Sequence, residues 1–188
     1  MNIAMMLTWF RILLIPVVVV CYYLPLPHTH FIAMSLFAIA SITDLLDGWL
    51  ARSFNQGSKF GAFLDPVADK LMVTSVLIIV LGSVGSPYIA IPTAIIIGRE
   101  ITISALREWM AEMGKRTSMA VKNIGKIKTV IQMFALGPFL LYDPTANDLW
   151  IKVVGIIALY IAAILTLWSM IVYLKIAYSD LTLSQKKQ

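Results

Sequence analysis

The sequence predicts an all-α integral membrane protein, a bundle of six transmembrane helices. Hydrophobic residues make up 60% of the chain and its mean hydropathy is +0.85. Only 13% of residues are charged, against about 25% in a soluble domain. Apolar stretches of the length that crosses a bilayer, about 20 residues, follow one another with short breaks. Since no polar stretch is long enough to fold alone, we predict a single membrane domain over residues 1–188.

Six apolar stretches define the predicted spans. The first ends at the turn of Pro25 and Pro27, and it reads as a retained span because it lacks the charged start and cleavage site of a signal peptide. Polar or glycine-rich breaks separate the others. The predicted spans cover residues 5–25, 30–52, 61–82, 88–110, 121–142 and 150–175.

The basic residues are unevenly distributed and assign the two sides of the membrane. They cluster at residues 52–59, 115–128 and 175–187, whereas the turns near 25–30, 82–88 and 142–149 contain no Lys or Arg. The positive-inside rule therefore places both termini in the cytoplasm. The basic clusters are expected to meet anionic lipid or phosphate, and nucleic-acid binding is not expected. His28 and His30 then fall on an outer turn, where we expect them to be solvated.

Four aspartates stand out in this apolar chain: Asp44, Asp47, Asp65 and Asp69. Within each pair the spacing, i to i+3 or i to i+4, places both side chains on one face of a helix. Any one of them alone could simply pair with a nearby Arg or Lys. Four carboxylates at one level repel one another unless cations neutralise them. Oxygen ligands of this kind suit Mg²⁺ or Mn²⁺, so we predict a cation site at the cytoplasmic ends of spans 2 and 3.

Small residues accompany the aspartates. Gly48 and Ala51 share the face of the first pair, where they leave room either for a flat ligand group or for a neighbouring helix. Gly61 permits close backbone approach in the connection that follows. Pro66 suits the first turn of a helix, where its missing N–H costs little.

Basic residues at the same level of the membrane are candidates for holding an anion. Arg107 on span 4 and Lys126 at the start of span 5 are the strongest, and Arg11 and Lys128 are further candidates. Arginine suits bidentate recognition of phosphate, and lysine supplies a point charge. Other basic residues, such as Lys115, are expected to be ordinary positive-inside residues.

The runs DLLDGWLAR (44–52) and GAFLDPVAD (61–69) resemble the motif of the CDP-alcohol phosphotransferase family. That motif is Asp-x-x-Asp-Gly-x-x-Ala-Arg, a gap of about eight residues, and Gly-x-x-x-Asp-x-x-x-Asp. Segments 6–16, 98–116 and 125–133 are similar to the bacterial phosphatidylglycerophosphate synthase branch of that family. The motif positions present are Asp44, Asp47, Gly48, Ala51, Arg52, Gly61, Asp65 and Asp69.

This resemblance implies a reaction and a set of ligands. The reaction is transfer of the phosphatidyl group from CDP-diacylglycerol to sn-glycerol 3-phosphate, with release of CMP. It implies two divalent ions, Mg²⁺ or Mn²⁺, held by the four aspartates, and a homodimer in the bacterial inner membrane whose active site faces the cytoplasm. Asp69 is also the implied general base. The implied contacts to CDP-diacylglycerol are Gly48, Ala51, Arg52 and Gly61, and those to the glycerol phosphate are Arg107, Lys126, Arg11 and Lys128.

Other functions remain open at this point. A member of the same family could use inositol phosphate, serine or phosphatidylglycerol as the acceptor. A membrane prenyltransferase also binds a diphosphate through acidic helices, but its separated acidic motifs on more helices fit this chain poorly. A cation transporter is a more remote alternative, because intramembrane carboxylates also mark ion pathways. The sequence shows no obvious internal repeat, and its acids lie toward one face rather than at the midplane.

Overall fold

The computed structural model describes the backbone of residues 3–53, 59–112, 132–143 and 149–185. For residues 45–53, and for most of those beyond 175, only the backbone is described. The regular structure within these ranges consists of α-helices, as the sequence predicts. They are α1 (Ile3–Tyr23), α2 (Thr29–Ser53), α3 (Lys59–Val84), α4 (Pro87–Glu112), α5 (Gln132–Leu141) and α6 (Leu149–Gln185).

Four of these helices contain a segment long and apolar enough to cross a membrane: Met5–Tyr23, Phe63–Val84, Pro87–Glu112 and Leu149–Lys175. They correspond to predicted spans 1, 3, 4 and 6, so the chain is a multi-pass membrane protein. Two further apolar helical stretches in the described residues are shorter, Thr29–Asp44 in α2 and Gln132–Leu141 in α5. The helix α2 itself continues to Ser53.

Two local expectations differ from the structure. Pro66 lies inside α3, because that helix begins at Lys59; prolines are tolerated within membrane helices, where neighbouring groups satisfy the freed backbone. His30 belongs to the first turn of α2 and packs edge-on against Tyr22, with ring centroids 4.7 Å apart, so this histidine is not on a solvated loop.

The first of two compact units comprises residues 1–85 and 136–155. In it, α1 packs against both α2 and α3. Alanines at the buried positions let the helix backbones approach closely: Ala33 and Ala40 on α2 and Ala68 on α3 are each 0% exposed. This arrangement matters for the site because any polar side chain on the buried face of α1 reaches the two helices that carry the aspartates.

The second unit comprises residues 86–135 and 156–188. Its described helices are α4, the first residues of α5 and most of α6. Ile103 on α4 and Tyr173 on α6 are buried together, and Leu106 and Met170 pack around them. Arg99 is also buried in this unit, at 4% exposure.

Candidate active site

The buried face of α1 carries two polar side chains, Thr8 and Arg11. They are three residues apart, and this spacing places them on the same side of the helix. Thr8 is 1% exposed and Arg11 is 0% exposed, which makes Arg11 one of the largest fully buried side chains described. A buried guanidinium is costly unless it is paired and hydrogen-bonded, so its partners identify a polar site inside the first unit.

Arg11 is paired with one aspartate from each half of the motif. Its Nη1 atom lies 2.7 Å from Oδ1 of Asp44 on α2 and 2.7 Å from Oδ1 of Asp69 on α3. Because both oxygens contact a single nitrogen atom, they are no farther apart than twice that distance. Asp44 and Asp69 are therefore brought together across two helices, as the sequence predicts for the acidic pairs.

Thr8 makes the equivalent contact with a third aspartate. Its hydroxyl donates a hydrogen bond to Oδ1 of Asp65. Asp65 lies one turn before Asp69 on α3, just as Thr8 lies one turn before Arg11 on α1. Successive turns of α1 thus contact successive acidic residues of α3. Thr8 was not among the predicted site residues, although a hydroxyl one turn from the one charged residue of an apolar helix was a usable signal.

The electrostatics of this group favour a cation. The guanidinium of Arg11 contacts Asp44 and Asp69, and the carboxylate of Asp65 is contacted by Thr8. One positive charge thus accompanies three carboxylates, so these four side chains together carry an excess of negative charge when ionised. Like charges held close together repel strongly in a low-dielectric environment. A divalent cation would relieve that repulsion.

The chemistry of the donors fits a hard divalent ion. Carboxylate and hydroxyl oxygens are the ligands that Mg²⁺ and Mn²⁺ accept. Among the side chains that the structure describes, no group of three His, Cys, Asp or Glu residues is placed so that it could hold a metal ion. Asp47, the fourth predicted ligand, is on the helical backbone of α2, but its side chain lies outside the described residues.

A second arginine site lies in the other unit. Arg107 on α4 donates a hydrogen bond from Nη2 to the hydroxyl of Tyr173, at 3.0 Å, and its guanidinium carbon lies 5.4 Å from the ring centroid. Arg99 approaches the same ring at 5.8 Å and donates to Oγ of Ser169, at 3.2 Å. Tyr173 is 4% exposed. Tyr173 therefore fixes the position of the Arg107 side chain. It was not among the predicted site residues, because a tyrosine in an apolar span is indistinguishable in sequence from a core residue.

The structure describes only some of the remaining predicted site residues, and some of those only by their backbone. Gly61 lies within α3. Gly48, Ala51 and Arg52 lie in the last turns of α2, where the backbone is helical but the side chains are outside the described residues. Lys126 and Lys128 also lie outside the described residues. Arg11, predicted to contact the glycerol phosphate, lies with the aspartates, and its phosphate-binding role stays a prediction.

Comparison with known proteins agrees with these motifs. The family model described as CDP-alcohol phosphatidyltransferase matches residues 1–172. A protein of Shigella flexneri serotype 5b (strain 8401), named CDP-diacylglycerol–glycerol-3-phosphate 3-phosphatidyltransferase, is 51% identical over 180 residues, or 96% of this chain and 97% of the relative. The protein of the same name from Escherichia coli (strain K12) is 50% identical over the same shares. The chain belongs to the CDP-alcohol phosphatidyltransferase family.

Proposed function

We propose that this protein transfers the phosphatidyl group of CDP-diacylglycerol to sn-glycerol 3-phosphate and releases CMP. The products would be phosphatidylglycerophosphate and CMP, a step of phospholipid synthesis. The relatives that carry the name of this activity are about half identical to the chain over almost its whole length. In the sequence, segments 98–116 and 125–133 resemble the branch that uses this acceptor.

The observation that carries the proposal is the shared contact of Asp44 and Asp69 with Arg11. Those aspartates lie 25 positions apart in the chain and on different helices, yet both contact one nitrogen atom at 2.7 Å. The two halves of the motif therefore form one acidic site. If its carboxylates bind divalent cations, such a site suits a substrate whose diphosphate is held by those cations.

Within this proposal the aspartates have two tasks. Asp44, Asp47, Asp65 and Asp69 would hold two divalent ions, Mg²⁺ or Mn²⁺. When bound, such ions neutralise the diphosphate of the donor and stabilise the departing CMP. Asp69 would also accept the proton of the attacking glycerol hydroxyl, since a general base must lie within hydrogen-bond reach of the proton that it removes.

The bonds exchanged are two P–O bonds. The hydroxyl oxygen of glycerol 3-phosphate forms a bond to the phosphorus that bears the diacylglycerol. The bond from that phosphorus to the bridging oxygen breaks, and this oxygen leaves as part of CMP. The hydroxyl proton passes to the Asp69 carboxylate. Gly48, Ala51, Arg52 and Gly61 would contact the CDP-diacylglycerol, with the small residues leaving room for the cytidine.

For the acceptor we propose Arg107 and Lys126 as the principal phosphate ligands, with Arg11 and Lys128 as secondary ones. Arg107 is the best supported of the four by the structure. It is exposed on α4, while its guanidinium is oriented by Tyr173 at 3.0 Å. An arginine that is fixed in this way loses less conformational freedom when it binds an anion.

We further propose how the chain spans the membrane and on which side of it the reaction takes place. The chain would form one domain over residues 1–188 with six spans, the four long apolar helices together with α2 and a fifth span that ends with α5. Both termini and the acidic site would face the cytoplasm of a bacterial inner membrane, in accordance with the distribution of basic residues. We expect a homodimer, as the family resemblance implies.

Product analysis tests the function directly. The purified protein in detergent is given CDP-diacylglycerol, a divalent cation and labelled sn-glycerol 3-phosphate, and lipid products and CMP are measured. We expect labelled phosphatidylglycerophosphate and an equal amount of CMP, both abolished by EDTA. The Asp65→Asn variant is compared with the unaltered protein in the same assay, because asparagine keeps the size of the side chain that Thr8 contacts.

The same assay separates the alternatives. Inositol phosphate, serine and phosphatidylglycerol are offered one at a time in place of glycerol 3-phosphate. Faster CMP release with any of them would replace the proposed acceptor and keep the reaction class. If no acceptor supports metal-dependent CMP release by folded protein, the enzyme proposal fails, and ion flux in proteoliposomes becomes the measurement to make.

A further inference from the structure

The contacts of Arg11 indicate a second role, in addition to the phosphate-binding role proposed for it. Its side chain is wholly buried, and Nη1 lies 2.7 Å from oxygens of two carboxylates. The Nη1 atom of Arg11 thus already contacts both aspartates of the acidic site. The contacts described for Arg11 therefore point to the aspartates.

The guanidinium of Arg11 lies where a counter-ion of the two carboxylates would lie. It lies between acidic residues of α2 and α3, and α1 packs against both helices. Without a positive charge there, Asp44 and Asp69 would repel each other across the helix interface. The guanidinium supplies this positive charge from a third helix, α1.

We infer that Arg11 is a positioning residue, an internal counter-ion that holds the carboxylates of Asp44 and Asp69 together and weakens their binding of a divalent cation. This inference rests on the metal site put forward under Proposed function. A cation that binds Asp44 and Asp69 must share or displace the oxygens that Arg11 contacts, and it also meets the repulsion of the guanidinium. The protein would thereby bind the metal less tightly, but its carboxylates would already be in place before the metal binds.

The direction of the effect separates this role from substrate binding. Removing a positive charge next to a cation site strengthens cation binding, since the Coulomb repulsion is lost. A residue that only binds the phosphate of the acceptor would leave metal binding unchanged when no substrate is present. A purely structural residue would lower the unfolding temperature without increasing the stabilisation that the metal supplies.

The experiment measures Mn²⁺ alone, without substrates, on the purified full chain in detergent. Free Mn²⁺ is followed by electron paramagnetic resonance, and thermal unfolding is recorded with and without Mn²⁺. We expect Arg11→Gln to lower the Kd for Mn²⁺ about tenfold, equivalent to about 1.4 kcal/mol. We also expect it to unfold at a lower temperature without metal and to gain more from Mn²⁺ than the unaltered protein. Arg11→Lys, which keeps the charge, should restore a Kd close to that of the unaltered protein.

Two further variants act as controls. Arg99→Gln removes a buried arginine whose described contacts are with Ser169, Glu100 and Tyr173, and it should leave the Kd for Mn²⁺ unchanged. If Arg11→Gln does not fold, the charge-balanced pair Arg11→Gln with Asp44→Asn replaces it. This double variant should bind Mn²⁺ more tightly than Asp44→Asn alone.

The outcomes distinguish a failure of the counter-ion role from a failure of the metal site. An unchanged or higher Kd for Arg11→Gln overturns the counter-ion role, as does a double variant that binds no better than Asp44→Asn. If Asp44→Asn binds Mn²⁺ as tightly as the unaltered protein, the metal site itself is wrong, and the inference about Arg11 falls with it.

Discussion

The guanidinium of Arg107 on α4 is fixed by the buried ring of Tyr173 on α6, through a 3.0 Å hydrogen bond to the hydroxyl and a distance of 5.4 Å to the ring centroid. The two residues are 66 positions apart in the chain. This contact gives the proposed acceptor site a defined arginine, and it makes the tyrosine a positioning residue.

Tyr173→Phe should weaken acceptor use. It keeps the ring beneath Arg107 but removes the hydroxyl that accepts the hydrogen bond. A hydrogen bond to a charged group contributes about 1.5–3 kcal/mol, and because the tyrosine acts on the acceptor only through Arg107, we expect part of this to be lost in binding. KM for glycerol 3-phosphate should rise about two- to tenfold, with KM for CDP-diacylglycerol unchanged. Steady-state kinetics with each substrate varied in turn measures both. A lower unfolding temperature with both KM values unchanged would assign Tyr173 to stability alone.

Arg107→Ala should have a larger effect on the same parameter. A charge-assisted hydrogen bond contributes about 1.5–3 kcal/mol, so we expect KM for glycerol 3-phosphate to rise between about tenfold and a hundredfold. Lys126→Ala should act in the same direction. Lys152→Ala is the control, because Lys152 lies at the start of α6 over the ring of Tyr142, at 5.7 Å. An equal rise in the two KM values would place Arg107 outside the acceptor site.

Asp69→Asn should abolish turnover without unfolding the protein. Asparagine retains an oxygen that accepts the hydrogen bond from Arg11 Nη1, now 2.7 Å from Asp69, but it cannot accept a proton from the acceptor. We expect kcat to fall by at least about a hundredfold, the usual contribution of a general base. Binding of CDP-diacylglycerol, measured separately, should be largely retained. Near-normal turnover would exclude Asp69 as the base.

Thr8→Val should weaken the site through Asp65. Valine has nearly the same shape as threonine but cannot donate the hydrogen bond that Asp65 receives. Since a hydrogen bond to a charged group contributes about 1.5–3 kcal/mol, we expect a clear drop in the thermal unfolding temperature in detergent. Thr8→Ser keeps the hydroxyl and should restore most of it. If valine and serine behave alike, the methyl group rather than the hydroxyl is what matters at this position.

Gly155→Ala should destabilise the first unit. A Cβ atom at Gly155 on α6 would lie 3.0 Å from the ring of Phe139 on α5, and Phe139 is itself buried, at 1% exposure. Overpacking of this kind costs about 1–3 kcal/mol. Gly98→Ala is the matched control, because nothing lies within 4 Å of a Cβ there and alanine favours a helix. Thermal unfolding of both variants in detergent makes the comparison, and equal unfolding temperatures would contradict the packing described for Gly155.

The sequence was sufficient for the helices and for the acidic motif, because both depend on local spacing. Apolar stretches of membrane length predicted α1, α3, α4 and much of α6 to within a few residues, although α6 continues to Gln185. The spacing of Asp65 and Asp69 placed them on one face of a helix, and helix geometry alone determines that. Pro66 lies inside α3 and not in its first turn, because proline is also tolerated within membrane helices.

Only the tertiary structure decided which face of each helix is buried and which polar residues meet there. In a membrane chain the lipid-facing and core-facing residues are both apolar, so periodicity does not separate them. On α2, Phe31 is 65% exposed whereas Phe37 is 2% exposed. The rotation of α1 against α2 and α3 therefore could not be predicted from the sequence, and it is this packing that brings Thr8 to Asp65, 57 residues away, and Arg11 to Asp69, 58 residues away.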